Sequence, residues 1–158
     1  MDERKFRHAM GNFATGVNII TTEVDGDIHG MTANAFMSVS LDPKLVVISI
    51  GEKANMLEKI RKNKKYAVNI LSQNQKELSM LFAGQLKEER DVPFDRLADV
   101  PVIAGAPTQI ACEVVSEHVE GDHTLFVGKV IDLHFEECTN PLLFYQGKYT
   151  SLATGAVL

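Results

Sequence analysis

The chain has 158 residues, 45% hydrophobic and 23% charged, the balance of a globular protein with one core, so a single domain over 1–158 is expected. Its 16 Lys and Arg against 21 Asp and Glu give a net charge of −5, which argues against nucleic acid or an anionic membrane as partner, since both need a concentrated basic face. No apolar run approaches the ~20 residues that cross a bilayer, and no secretory apolar region follows the charged opening "MDERKFRHAM", so a cytoplasmic protein is expected.

In residues 3–13, Phe6, Met10 and Phe13 fall at the i, i+4, i+7 spacing of one helical face. "GVNIITTEV" (16–24) follows as a β-branched strand, and Asp25-Gly26-Asp27 is a hairpin signal, because an Asp-Gly pair tolerates the positive φ angles of a tight turn. A second strand starts near Ile28 and runs into "MTANAFMSVSLDP" (31–43). "KLVVISI" (44–50) is nearly all apolar, as expected of a strand buried on both faces. A short helix, "ANMLEKIRKN" (54–63), leads to the strand "YAVNIL" (66–71). A second, in "QNQKELSMLFAG", carries a stripe of Leu78, Leu81 and Phe82. Residues 84–100 are polar, charged and proline-containing, a surface loop and a candidate gate. Strands fill the rest: 107–120, a turn at Gly121-Asp122, 123–136, and "PLLFYQGKYTSL" (141–152). Many strands in hairpin order with short inserted helices predict a mainly β protein, an antiparallel Greek-key barrel.

Several chemistries lack their residues. "GNFATG" (11–16) has phosphate-loop spacing, but Val17-Asn18 stands where Lys-Ser/Thr is required. No G-x-G-x-x-G follows a strand, and no G-x-S-x-G elbow offers a nucleophile. His118 and His123 have no third ligand nearby, and Cys112 with Cys138 makes neither a metal site nor a disulfide framework, so no metal is expected.

Three features remain. Thr32, Asn34, Ser38 and Ser40 share one face if the backbone is extended. Taken alone they read as a solvated strand face. The alternative is that this small-residue strand lets a flat ligand with polar edges come close. Lys53 and Asn55 sit just past Gly51, where strand gives way to helix. They are either ordinary surface residues or a phosphate seat at a helix N-terminus. His123 follows a turn as a half-exposed hairpin histidine, or as an imidazole at a barrel rim that touches a ligand.

"FRHAMGNFATGVNIITT", "GMTANAFMSVSLDPKLVVISI", "YAVNILSQNQ", "LSMLFAG", "GDHTLFVGKV" and "PLLFYQGKY" occur in that order. Together they resemble the short-chain flavin reductases, the reductase components of two-component aromatic monooxygenases of the phenol and 4-hydroxyphenylacetate hydroxylase type. The likeness runs from Phe6 to Leu152. It implies the FMN-binding split-barrel fold, a homodimer, and reduction of FAD or FMN by NADH or NADPH, with reduced flavin diffusing to a separate oxygenase.

The resemblance also implies site residues. Thr32, Ala33, Asn34 and Ala35 would border the ring, while Ser38, Val39 and Ser40 would approach ring or ribityl atoms. Gly51, Lys53 and Asn55 would face the phosphate side. Phe82 and Ala83 would lie near the ring or the adenylate end, Arg90 would contact phosphate, and Tyr149 would close the pocket. His123 would position the nicotinamide. Hydride transfer between two cofactors explains the missing acid–base dyad, because the cofactors carry the electrons and the protein orients them. A flavoprotein electron carrier or ferric reductase of the same fold, holding its flavin, is the alternative, and a non-enzymatic barrel module is the second.

Overall fold

A computed structural model describes residues 1–137 and 140–153; Cys138 lies outside them. Helix α1 (Glu3–Met10) starts where the Asp2 carboxylate accepts the Arg4 N–H at 3.1 Å, the usual way a short acidic side chain satisfies a free helix-end donor. No α1 residue is buried. The strands that follow are β1 (Thr15–Gly16), β2 (Asn18–Val24), β3 (Asp27–Ala33), β4 (Phe36–Leu41) and β5 (Lys44–Gly51). Helix α2 (Met56–Asn63), β6 (Lys65–Ile70) and α3 (Lys76–Phe82) come next. Then come β7 (Phe94–Leu97), β8 (Val100–Ile103), the long β9 (Thr108–Glu120) and β10 (His123–Phe135), and the closing hairpin β11 (Leu143–Tyr145) and β12 (Lys148–Thr150). The expected turn at Asp25-Gly26 forms, with φ of 55° and 87°.

The main sheet has seven strands in the order β3-β2-β6-β9-β10-β5-β4, every neighbouring pair antiparallel. Its two edges are β3 and β4, which are consecutive in the chain and joined only by Asn34 and Ala35. Three peptide steps reach at most about 11 Å, so the sheet curls until its edges converge at that corner. No ladder joins β3 to β4 among the described residues. Among the described residues the architecture is mainly β, antiparallel, with three short α-helices.

"MTANAFMSVSLDP" is therefore not one strand. It leaves one sheet edge at Ala33 and joins the other at Phe36. Within β4, Ser38 pairs with Val46 and Ser40 with Leu45, so Val39 is the extra residue of a bulge. Cross-strand partners share a face, and Val46 and Leu45 point to opposite sides, so Ser38 and Ser40 do too. The even-position pattern fails because the alternation rule holds only where the ladder is regular.

Two further expectations change. In β5 the residues Val46, Ile48 and Ile50 are buried while Leu45, Val47 and Ser49 are only half-buried, so one face of that apolar run is not core. Residues 94–103 form the hairpin of β7 and β8, with positive φ at Ala98 and Asp99, so the irregular segment ends at Pro93.

The core lies between the curled sheet and α2. Ile20, Ile48, Ile50, Ile60, Val68 and Phe126 are at most 1% exposed, and each such side chain contributes roughly 1.5–3 kcal/mol through burial. Buried Asn69 locks three segments. Its Nδ2 donates to the Ile19 carbonyl at 2.8 Å and to Thr21 Oγ1 at 3.0 Å, and its Oδ1 accepts the Ile103 N–H at 2.8 Å. Among the described residues no helix is long and apolar enough to cross a membrane.

Candidate functional site

Odd-numbered residues of β5 and of the part of β10 that pairs with it, His123 to Lys129, share the sheet face that points away from the core. Val47 pairs with Val127, Ser49 with Leu125 and Gly51 with His123, and directly opposed residues of an antiparallel pair project to the same side. Val47, Ser49 and Leu125 form the floor of an open cleft of about 1010 Å³. Helix α1 overhangs it with Phe6 and Met10, and the turn after the helix adds Phe13, all three more than half exposed. Phe36, Met37 and Phe144 add apolar wall, and Asn18, Asn34 and Thr15 supply polar edges. A cleft of this size with few polar groups is the usual form of a small-molecule site.

Gly51 and His123 continue the floor, two residues beyond Ser49 and Leu125, roughly 7 Å at the rise of a strand. The His123 ring lies over Gly51, with Nε2 3.5 Å from where a Cβ on that glycine would stand. Its Nδ1 is 2.7 Å from Asp122 Oδ1, and that hydrogen bond holds the Asp122 carboxyl below its usual range. The Asp122 carbonyl accepts the Glu52 N–H at 2.9 Å. Lys53 is exposed and makes no ion pair among the described residues. Asn55 is the N-cap residue of α2 but its side chain makes no capping bond. The expected phosphate-side residues and the histidine thus meet at one corner.

Asn34 and Ala35 line the cleft beside Ser49. The Asn34 amide donates to Thr15 Oγ1 at 3.3 Å, the Ala33 carbonyl accepts Asn18 Nδ2 at 3.3 Å, and the Ala35 carbonyl accepts the Ser49 N–H at 3.2 Å. These bonds fasten the edge-to-edge crossing onto the cleft floor. In β4 it is Met37, opposite Val47, that faces the cleft. Ser38 and Val39 are exposed, and Ser40 is half-buried.

The remaining expected residues gather elsewhere. Thr32 Oγ1 donates to the Ser79 carbonyl of α3 at 2.7 Å. Ser79 is fully buried and its Oγ is 2.9 Å from Tyr149 Oη. The Tyr149 ring stands edge-on to Phe144 at 5.5 Å, with Lys76 Nζ 5.7 Å from its centroid. Phe82 lies against Gly30 and packs edge-on to Phe94 at 6.5 Å. Ala83 caps α3 and is exposed. Exposed Arg90 is held by Glu88 at 2.7 Å and Glu77 at 3.3 Å. These residues brace α3 against the sheet and against β12.

Reading along the chain missed Met37, Val47, Ser49 and Leu125. Only the strand register shows them, because alternation cannot tell a core face from a cleft face when both are apolar.

Residues 10–153 match the family described as the flavin reductase like domain. An NADH-dependent flavin reductase of Rhodococcus sp is 47% identical over 149 residues, covering 92% of this chain and 84% of that protein. The reductase component of 4-hydroxyphenylacetate 3-monooxygenase from Thermus thermophilus is 32% identical, covering 93% and 95%. The solved structure of the flavin reductase PheA2 in its native state is 64% identical and superposes with a TM-score of 0.96 over 98% of this chain and 100% of that one. A match over most of the chain, with relatives well above 30% identity, shows that the chain belongs to the flavin reductase-like family.

Proposed function

We propose that the chain is an NAD(P)H:flavin oxidoreductase of the cytoplasm. It takes FAD or FMN, with NADH as donor and NADPH as the alternative, and supplies reduced flavin to a separate aromatic monooxygenase. The observation that carries this is the continuous face from the cleft floor (Val47, Ser49, Leu125) to Gly51 and His123, in a chain of the flavin reductase-like family. The residues fit a flavin. An apolar floor and aromatic walls suit a flat ring system, Asn34 and Ser49 suit its polar edge, and exposed Lys53 suits a phosphate.

When bound, the flavin supplies an electron-accepting ring for the hydride that NADH gives up. The chain's residues bind and orient. Val47 and Leu125 exclude water from the floor, Ala35 leaves clearance beside it, and His123 positions the nicotinamide without moving a proton. The curled sheet with convergent edges is read as one split-barrel domain spanning 1–158. Val115, Val119, Ile131, Leu133 and Phe135 leave exposed apolar side chains along the length of the β9–β10 ladder. A second copy covers them in a homodimer.

The test is NADH and NADPH oxidation by purified protein with each flavin, alongside His123→Ala. His123→Ala should lower kcat/KM for NADH roughly tenfold, about the size of one lost hydrogen bond to a charged or polar ligand group, and leave flavin Kd within about twofold. Absence of NADH and NADPH oxidation with both flavins would refute the proposed activity.

A further inference from the structure

We propose that Asp122 is a positioning residue that fixes the tautomer of His123, so that Nε2 is presented to the cleft as a hydrogen-bond acceptor for the NH2 of a nicotinamide carboxamide. This rests on the reading of His123 as the nicotinamide-contacting residue.

A carboxylate can only accept, so the 2.7 Å contact between Asp122 Oδ1 and His123 Nδ1 requires the proton on Nδ1. In the neutral ring Nε2 is then bare, and it accepts. Nε2 is the ring nitrogen that lies over Gly51, on the face that Ser49 and Leu125 extend into the cleft. The backbone that carries the carboxylate is itself held. Asp122 sits in the two-residue turn between β9 and β10, beside Gly121 at φ +65°. Its carbonyl is pinned by Glu52 N–H at 2.9 Å, and His123 pairs on one side with Glu120 and on the other with Gly51. An imidazole on an exposed hairpin would otherwise rotate and exchange tautomers. An acceptor at this point distinguishes a carboxamide, which has an N–H to give, from a ketone, which has none.

The experiment compares the wild type, Asp122→Ala, Asp122→Asn and His123→Ala with flavin added. Donors are NADH and its reduced 3-acetylpyridine analogue, in which a methyl replaces the amide NH2. Asp122→Ala is expected to raise KM for NADH about three- to tenfold, the range of one hydrogen bond. It should hold kcat within about twofold and leave KM for the analogue unchanged. Nitrogen-15 NMR of the His123 ring, without donor, should show Nδ1–H in the wild type and a shift toward Nε2–H in both Asp122 variants. An unchanged ring tautomer in both variants, or an equal rise in KM for the two donors, overturns the proposal. If His123→Ala raises KM for NADH and neither Asp122 variant does, only the role of Asp122 fails. If His123→Ala leaves KM for NADH unchanged, the histidine's assignment fails with it.

Discussion

The two faces of the β5–β10 ladder are built from the same strands and serve opposite ends. On one side Val46, Ile48, Ile50, Phe126 and Gly128 are buried to contact. On the other, Val47, Ser49 and Leu125 are only half-buried beneath a helix none of whose own residues is buried. Both faces are largely apolar, yet only the first has its apolar groups satisfied within the chain. An apolar surface left uncovered beside well-placed polar groups is a binding surface. The comparison therefore predicts that substitutions on the first face cost folding, and that those on the second cost ligand.

The largest effect is expected at Gly128 on the closed face. A Cβ there would overlap the Tyr66 hydroxyl oxygen, and it would stand 2.8 Å from Tyr66 Cζ and 3.0 Å from Cys112 Cβ. Neither neighbour can retreat. Tyr66 is fully buried, its hydroxyl has no hydrogen-bond partner among the described residues, and Cys112 is fully buried too, where burial pushes its thiol up to about 12 and keeps it neutral. Gly128→Ala should destabilise by about 2–3 kcal/mol, the upper range for overpacking a core, seen as a lower urea midpoint with unchanged slope. A midpoint equal to wild type would mean that this face is not close-packed.

Ala35→Phe probes the open face. Ala35 is exposed at the cleft margin, with its carbonyl fastened to Ser49, so a phenyl ring has room to fold but occupies ligand space. Flavin Kd should rise tenfold or more in a fluorescence titration, while Tm stays within about 2 °C, a shift below 1 kcal/mol for a chain of this size. Normal flavin binding would show that the crossing at Asn34-Ala35 is scaffold alone.

How much of this was legible along the chain follows from the same contrast. Strands β2, β5, β6, β9 and β10 and the Asp25-Gly26 turn were readable, because β-branched runs and turn residues act locally. The break at Asn34-Ala35 was not, since it exists only because the sheet curls and brings its edges together. The Val39 bulge and the β7–β8 hairpin have no strong local signature either; the latter turns at Ala98-Asp99 without glycine. Family motifs pointed to Ala35, whose carbonyl accepts the Ser49 N–H, and to Gly51 and His123, one step further along the same face. Val47 and Ser49 looked like part of a strand buried on both faces, and Leu125 carried no signal of its own. Periodicity reports that a face is apolar, and only tertiary structure reports whether anything covers it.

The smallest effect expected is the one that assigns Thr32 to one side or the other. By sequence it belonged with the cleft residues, but its hydroxyl hydrogen is committed to the Ser79 carbonyl at 2.7 Å. That carbonyl also receives the Ala83 N–H at 3.0 Å, so removing the hydroxyl leaves no orphaned acceptor. Thr32→Val keeps the shape and the β-branched propensity and should cost only about 1 kcal/mol, the net value of one hydrogen bond, with flavin Kd within about twofold. Thr32 then belongs to the bracing that joins β3 to α3 through Ser79 and on to Tyr149. A fivefold loss of flavin affinity at unchanged Tm would return it to the open face. The braced region would in that case reach the ligand directly, and the division between a face that folds and a face that binds would run through β3 instead of along β5.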